Sequence, residues 1–225
     1  MFSYYGSKSK IAKFYPKPEY GLIVEPFAGA AWYSVMHRGK EVILNDTNPT
    51  IVRIWDYIIN KADPGFIRNN SDFRLGEDIR NKGFEAAYEE LVGFCINRGT
   101  AHPCHIVQQW SCQVLTNPRW ASTTAYALRR IADMVNEVKH WIITNDHFRN
   151  MPDIEATWFI DPPYQAGGIY YNQPKINYQE LAEFCKTRRG QVIVCENSDA
   201  DWLPFNPLTI THGQKKKTIE SVWTN

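Results

Sequence analysis

Apolar and polar positions follow two rhythms along the chain: short unbroken apolar runs, and longer stretches with helical spacing. The run Gly21-Leu-Ile-Val24 predicts a strand that stops at Glu25-Pro26, with a helix expected from about Ala30 to Arg38. Glu41-Val-Ile-Leu44 predicts a second strand, closed by Asn45-Asp46. Pro49 suits the first turn of a helix, which the apolar side of Ile51, Ile54, Trp55, Ile58 and Ile59 carries to about Asn60. Strands alternating with helices in this way are the signature of an α/β fold.

The rhythm degrades from Ala62 to Trp120. One helix is expected there, Phe84 to Phe94, in a polar stretch punctuated by Gly and Pro; so long a connection reads as an inserted lobe. Helical spacing returns from Ser122 to Lys139. Trp141-Ile-Ile143, Thr157-Trp-Phe-Ile160 and Gln191 to Cys195 predict three more strands, with a helix from about Tyr178 to Thr187 between the last two. Leu208-Thr-Ile210 and Thr218 to Trp223 predict a closing hairpin across a Lys215–Lys217 tip. At about 150 residues per domain, a chain of 225 residues reads as one generous domain, 1–61 with 121–225, interrupted by the lobe 62–120.

Hydrophobic residues make up 44% and charged residues 22%, near globular averages, which excludes disordered, collagen-like and coiled-coil classes. No apolar run approaches the roughly 18 residues of a membrane span, and the start Met1-Phe2-Ser3-Tyr4-Tyr5-Gly6 lacks an apolar signal core. Five cysteines, odd in number and irregularly spaced, argue against a disulfide framework, so a reducing cytoplasm with no membrane partner is expected. A net charge of +1 argues against coating nucleic acid by charge alone, yet leaves room for a local basic face. Lys8, Lys10, Lys13 and Lys17 precede the first acid, Glu19.

In open α/β sheets, ligands bind beyond the carboxyl ends of the strands. Three predicted strand ends carry unusual residues: Glu25-Pro-Phe-Ala-Gly-Ala30, Asn45-Asp-Thr-Asn48 and Asp161-Pro-Pro-Tyr164. Gly29 offers a turn that a ligand can approach closely. Asp46 follows that region at about the 20-residue spacing of an acid that takes a ribose diol. No complete GxGxxG is present, which favours a nucleoside ligand without a pyrophosphate. In the last motif two prolines stiffen the backbone and offer no N–H. Asp161, which only accepts hydrogen bonds when ionised, and the Pro162 carbonyl could together grip a planar exocyclic amine. Tyr164 offers a stacking face for a base. His102, Cys104, His105 and Cys112 lack the paired spacing of a zinc site, and no metal is expected.

Taken in order, these segments resemble the DNA adenine methyltransferases of the Dam type. Tyr4-Tyr-Gly-Ser-Lys8 is similar to the family's aromatic-x-Gly-Gly-Lys segment, with Ser7 in place of one glycine. Glu25-Pro-Phe-Ala-Gly29 and Asn45-Asp-Thr-Asn48-Pro49 resemble its cofactor motifs, with Ala31 where a further glycine is usual. Thr144-Asn-Asp146-His147-Phe148 resembles the segment around the cofactor's adenine, Asp161-Pro-Pro-Tyr164 the catalytic motif, and Glu220-Ser-Val-Trp223-Thr-Asn225 the closing strand. The resemblance implies a Rossmann-like, S-adenosylmethionine-dependent methyltransferase fold, mostly parallel with an antiparallel closing strand. It also implies methylation of the exocyclic amine of a flipped adenine in DNA.

By the same resemblance Asp161, Pro162 and Tyr164 are catalytic. Tyr4, Lys8, Glu25, Phe27, Gly29, Asp46, Asp146, His147 and Asp161 take the cofactor. The inserted lobe reads the target, with Asn97, Arg98 and Arg119 as DNA contacts; Gln108, Gln109 and Trp120 are chemically able to join them. DNA is the implied partner, and a cognate restriction endonuclease could be another. The same chemistry on RNA adenine or DNA cytosine, or a non-catalytic nucleic-acid-binding subunit, remains an alternative.

Overall fold

The computed structural model describes residues 2–4, 6–97, 100–113, 122–165, 176–212 and 217–225. Among the described residues lie seven strands: β1 (Leu22–Glu25), β2 (Glu41–Asn45), β3 (Ile142–Thr144), β4 (Ala156–Ile160), β5 (Gly190–Asn197), β6 (Asn206–His212) and β7 (Lys217–Thr224). They form one sheet in the order β3-β2-β1-β4-β5-β7-β6. β1 pairs in parallel with β2 and β4, and β4 with β5, while β7 runs antiparallel to both β5 and β6. The expected mostly parallel sheet with an antiparallel closing strand is therefore the observed one.

The chain divides into two compact units, Met1–Ser7 with Asn48–Ile143, and Lys8–Thr47 with Thr144–Asn225. The division falls outside the stretch where the sequence pattern degrades. Helix α2 (Pro49–Asp56) and helix α5 (Thr123–Met134) share a unit with α3 (Pro64–Asn69) and α4 (Ala86–Cys95). The reason is the direction of their apolar faces: α2 and α5 both pack on α4, and α5 also packs on α3.

In this helical unit α2 starts where Asn48 accepts the Thr50 N–H at 3.0 Å, with Pro49 in the first turn. It buries Ile51, Ile54 and Trp55, then widens into a π-helical turn over Tyr57–Lys61. Phe2 is fully buried between Trp55 and Phe94. A second aromatic group joins Tyr57, Phe66, Phe84 and Tyr88. Helix α3 is not apparent in the sequence pattern because Pro64-Gly65 reads as a turn. Asp63 makes it a helix start instead, accepting the Phe66 N–H at 2.5 Å.

The sheet unit places apolar side chains on both faces, as strands covered on both sides require. Val24, Trp158, Ile160, Val192 and Val194 face helix α6 (Tyr178–Thr187), whose Leu181, Ala182, Phe184 and Cys185 complete that core. Phe159 points the other way, stacked on Tyr33 at 4.1 Å and met edge-on by Tyr15 at 5.1 Å. Tyr33 belongs to α1 (Trp32–Met36), which is shorter than the spacing from Ala30 to Arg38 suggests. Between β4 and β5, Gly190 has φ +95° and stands opposite Ala156, where a side chain would meet the Ala156 carbonyl oxygen at 2.2 Å.

Candidate functional site

Because β1, β2, β4 and β5 run parallel, their carboxyl ends, Glu25, Asn45, Ile160 and Asn197, share one edge of the sheet. The turn after β1 is tied to the end of β2. Ala28 N–H donates to the Asn45 carbonyl at 2.8 Å, and Gly29 N–H donates to Asp46 Oδ2 at 2.9 Å. Both Gly29 and Ala31 have φ of +46°. Glycine adopts that geometry without strain, whereas for alanine the left-handed region costs about 1–2 kcal/mol. Ala31, standing where the resembled family has glycine, thus holds a glycine conformation.

Asn45 connects three segments. Its Nδ2 donates to the carbonyls of Pro26 (3.1 Å) and Asp146 (2.9 Å), and its Oδ1 accepts the Asp146 N–H at 3.0 Å and the Thr144 hydroxyl at 2.8 Å. Asp46 is buried, while Asp146 and His147 are exposed. Asp146 accepts the His147 N–H and an Asn150 amide hydrogen, which hold its carboxyl below the usual range, the Asn150 bond contributing most. Phe27 packs against Phe148 with centroids 5.5 Å apart, and the His147 ring lies 4.5 Å from Phe148. Buried Glu25 accepts both the N–H and the hydroxyl of Ser34, at 2.8 and 2.5 Å. Burial nevertheless raises its pKa to about 8, with Ser34 pulling the other way and Asp161 adding to the rise.

The Asp161–Gln165 turn leaves β4 at the same edge and is clamped at four points. Lys8 Nζ lies 2.7 Å from Asp161 Oδ1, Tyr178 donates its hydroxyl to the Pro163 carbonyl at 2.7 Å, and Gln165 N–H donates to Glu196 Oε1 at 2.6 Å. The Tyr164 hydroxyl donates to Glu220 Oε1. Pro162 is buried, and among the described residues its carbonyl accepts no hydrogen bond. Lys8 also stands 3.8 Å from Glu220 Oε1 and 4.5 Å from the centre of the Tyr164 ring. Tyr15 donates to the same Glu220 oxygen at 2.5 Å.

This cluster of two carboxylates, one ammonium and two phenols is almost closed to solvent; the side chains of Lys8 and Glu220 are each 7% exposed and that of Asp161 is 21% exposed. Burial raises the Asp161 pKa to about 6 against the opposing pull of Lys8, and the Glu220 carboxylate adds to the rise. Burial works against the Lys8 charge, but Asp161 and then Glu220 hold its pKa above the ordinary value. The phenols of Tyr15 and Tyr164 are pushed well up, chiefly by burial, and stay protonated donors.

The sheet unit thus carries Glu25, Phe27, Gly29, Asp46, Asp146, His147, Asp161, Pro162 and Tyr164 on the strand-end segments of one edge, and Lys8 joins them from the segment ahead of β1 through its ion pair with Asp161. Tyr4 and Asn97 belong to the helical unit. There Tyr4 bridges Thr100 and meets Phe94 edge-on at 5.5 Å, and Asn97 donates to Cys104 Sγ at 2.9 Å. Gln108 and Gln109 are exposed in that unit, and Arg98, Arg119 and Trp120 lie outside the described residues. The cysteine and histidine side chains of the lobe face different partners. Cys112 donates to the Phe73 carbonyl at 3.7 Å, and His105 faces Glu89 at 3.7 Å. Among the described residues no three His, Cys, Asp or Glu side chains gather to hold a metal ion, and no helix is long and apolar enough to cross a membrane.

Three residues of this edge escape sequence reasoning: Tyr15 and Glu220 of the cluster, and Asn45, which ties the neighbouring segments. Asn45 and Glu220 sit inside the motifs quoted above and carry a signal there, as polar residues at or within strands. Tyr15 sits in a lysine-rich segment and carries none.

No curated protein matches the chain. Among solved structures, one described as a conserved hypothetical protein of Streptococcus pyogenes is 9% identical, with 89% of this chain and 84% of that chain covered and a TM-score of 0.37. Residues 4–90 match the family model described as D12 class N6 adenine-specific DNA methyltransferase, a span that holds the Gly29 and Asp46 segments and ends before Asp161. The match supports an adenine methyltransferase, and the seven-stranded, mostly parallel sheet closed by antiparallel β7 agrees with a methyltransferase fold.

Proposed function

We propose that this protein transfers a methyl group from S-adenosylmethionine to the exocyclic amino group of an adenine taken out of a DNA duplex. The observation that carries the reading is the rigid Asp161-Pro-Pro-Tyr164 turn at the same sheet edge as the Gly29–Asp46 loop. The match of residues 4–90 to an adenine-specific DNA methyltransferase model supports the choice of base and polymer.

The residues present suit such a donor. Asp46 would take the ribose hydroxyls, the Asp146–Phe148 segment with Phe27 would border the adenine, and Glu25, mostly protonated at neutral pH, would line the pocket beside the Asp161 carboxylate, which suits a cation. When bound, S-adenosylmethionine supplies a methyl group made electrophilic by the positive sulfur. Tyr4, from the helical unit, is assigned to the same ligand by its motif alone.

The target amine is a poor nucleophile because its lone pair is delocalised into the ring. Asp161 and the Pro162 carbonyl would each accept one amine hydrogen, drawing the nitrogen toward tetrahedral geometry and aiming its lone pair. Alignment of this kind contributes about 7–11 kcal/mol at its favourable limit. Asp161, with a pKa of about 6, is mostly ionised at neutral pH and would stabilise the positive charge that develops on nitrogen. The surplus proton leaves after transfer. Base extraction costs a few kcal/mol, and stacking on Tyr164 would recover part of it. The lobe over 62–120 would read the target, with Asn97, Arg98 and Arg119 as DNA contacts.

The test is methyl transfer from tritiated S-adenosylmethionine to unmethylated DNA, with RNA in parallel and Asp161→Ala as control. Methyladenine in DNA, lost in the variant, is expected. Label in RNA or on cytosine overturns the substrate assignment, and failure of the cofactor to bind overturns the reading as a whole.

A further inference from the structure

We propose that Glu220 is a positioning residue of this site, clamping the Tyr164 phenol and dividing the Lys8 ammonium between itself and Asp161. The inference rests on the methyl-transfer reading and deepens it by a residue to which no motif assigns a role.

Glu220 belongs to the one strand that runs against the others, yet it pairs with Asn197 at the carboxyl end of β5 and so reaches the edge where ligands are held. Its Oε1 accepts the hydroxyls of both Tyr15 and Tyr164 and lies 3.8 Å from Lys8 Nζ. A free phenol ring turns about its bond to Cβ; a ring tethered through its hydroxyl presents a fixed face, so less freedom is lost when a base stacks on it. Glu196 holds the neighbouring Gln165 N–H, so β5 and β7 each contribute one carboxylate that grips the turn.

The second effect is electrostatic. Lys8 alone against Asp161 would leave a neutral pair. A second carboxylate beside the same ammonium gives the cluster one net negative charge, which favours the positive charge developing on the amine nitrogen. The other groups that interact with Asp161 are Glu25 on β1, Cys195 and Glu196 on β5, and the phenols of Tyr15 and Tyr164. Among the described residues, Lys8 alone opposes the carboxylates there with positive charge, and Glu220 raises the Asp161 pKa.

Glu220→Gln keeps the size and an acceptor oxygen for both phenols while removing the charge. The measurements are a carbon-13 NMR titration of the Asp161 carboxyl, assigned with Asp161→Asn, and kcat and KM on unmethylated DNA from about pH 5 to 9. The expected result is an Asp161 midpoint lowered by roughly one unit from its value near 6, an acid limb of kcat displaced with it, and a plateau rate reduced roughly tenfold. Tyr164→Phe keeps the ring but loses the tether. It should raise KM for DNA several-fold and leave the Asp161 midpoint in place. An unmoved midpoint in Glu220→Gln, or an unchanged KM in Tyr164→Phe, overturns the proposal.

If the glutamine variant fails to fold, Glu220→Asp serves: it keeps the charge beside Lys8 but draws back from both phenols, so KM for DNA should rise several-fold with the Asp161 midpoint near its wild-type value, and an unchanged KM overturns the proposal. A displaced midpoint in Glu220→Gln from a protein that labels no DNA would support the clamp and sink the methyl-transfer reading. Methylation with an unmoved midpoint would do the reverse.

Discussion

Glu25 offers a direct test of whether burial governs the charges at this sheet edge. It is 2% exposed, and its carboxyl titrates at about 8 instead of the ordinary 4.5, because desolvation outweighs the two bonds from Ser34. Below pH 4.5 the carboxyl is protonated in folded and unfolded chains alike, and its full contribution to stability is present. As pH rises, the unfolded chain ionises freely while the folded one resists, so stability falls until the folded group itself titrates near pH 8. At about 1.4 kcal/mol per unit, the loss approaches a ceiling of roughly 5 kcal/mol, of which about 3 is gone by neutral pH. Glu25→Gln places an uncharged amide where the protonated acid sits and keeps an acceptor for Ser34. The assay is urea unfolding of both proteins at several pH values. The stability of wild type relative to the variant should fall by about 4 kcal/mol between about pH 5 and 8.5. A difference that does not change with pH would refute the argument, since it would mean that Glu25 ionises in the folded protein as readily as in water.

Other substitutions test neighbouring claims. Lys8→Gln removes the cation that lowers the Asp161 pKa, so the acid limb of methylation should move up from near 6 by about one to three units; a pH–rate profile checks it. Ala31→Gly releases an alanine held at φ +46° and should stabilise the protein by about 0.5–1 kcal/mol, net of the extra freedom of unfolded glycine, in thermal denaturation. Gly190→Ala meets the Ala156 carbonyl oxygen at 2.2 Å from a backbone with φ +95°, so β4 and β5 must part locally. A loss of roughly 2–4 kcal/mol is expected in the same measurement.

The strands were legible to within a residue or two because Pro, Gly and Asn-Asp punctuation bounds their apolar runs. The largest departures are two residues: β6 is longer by two at each end, and β5 continues through Glu196 and Asn197 where polarity reads as an end. Glu196 is fully buried there because two backbone N–H groups, from Gln165 and Asn197, satisfy its carboxylate. α2 and α5 have clear helical periodicity, but periodicity does not say which core a helix faces, so their grouping with α3 and α4 was not visible. Asp161, Tyr164 and Lys8 were legible because a short motif carries each. Tyr15 was not, since its importance lies in a bond spanning 205 residues of sequence, and the motif that marks Glu220 does not say which side chains it holds.

That span also bears on how the site comes into being. The Gly29–Asp46 tie closes a loop of only 17 residues, while Tyr164 and Glu220 lie 56 apart and Tyr15 and Glu220 lie 205 apart. Loop closure grows costlier with length, and contacts far apart in sequence slow folding. During refolding the loop after β1 should take shape first, and the clamp on Tyr164 only once β7 has entered beside β5. A partly folded chain would then carry the turn after β1 without the tethered ring, and recovery of activity would trail recovery of strand signal.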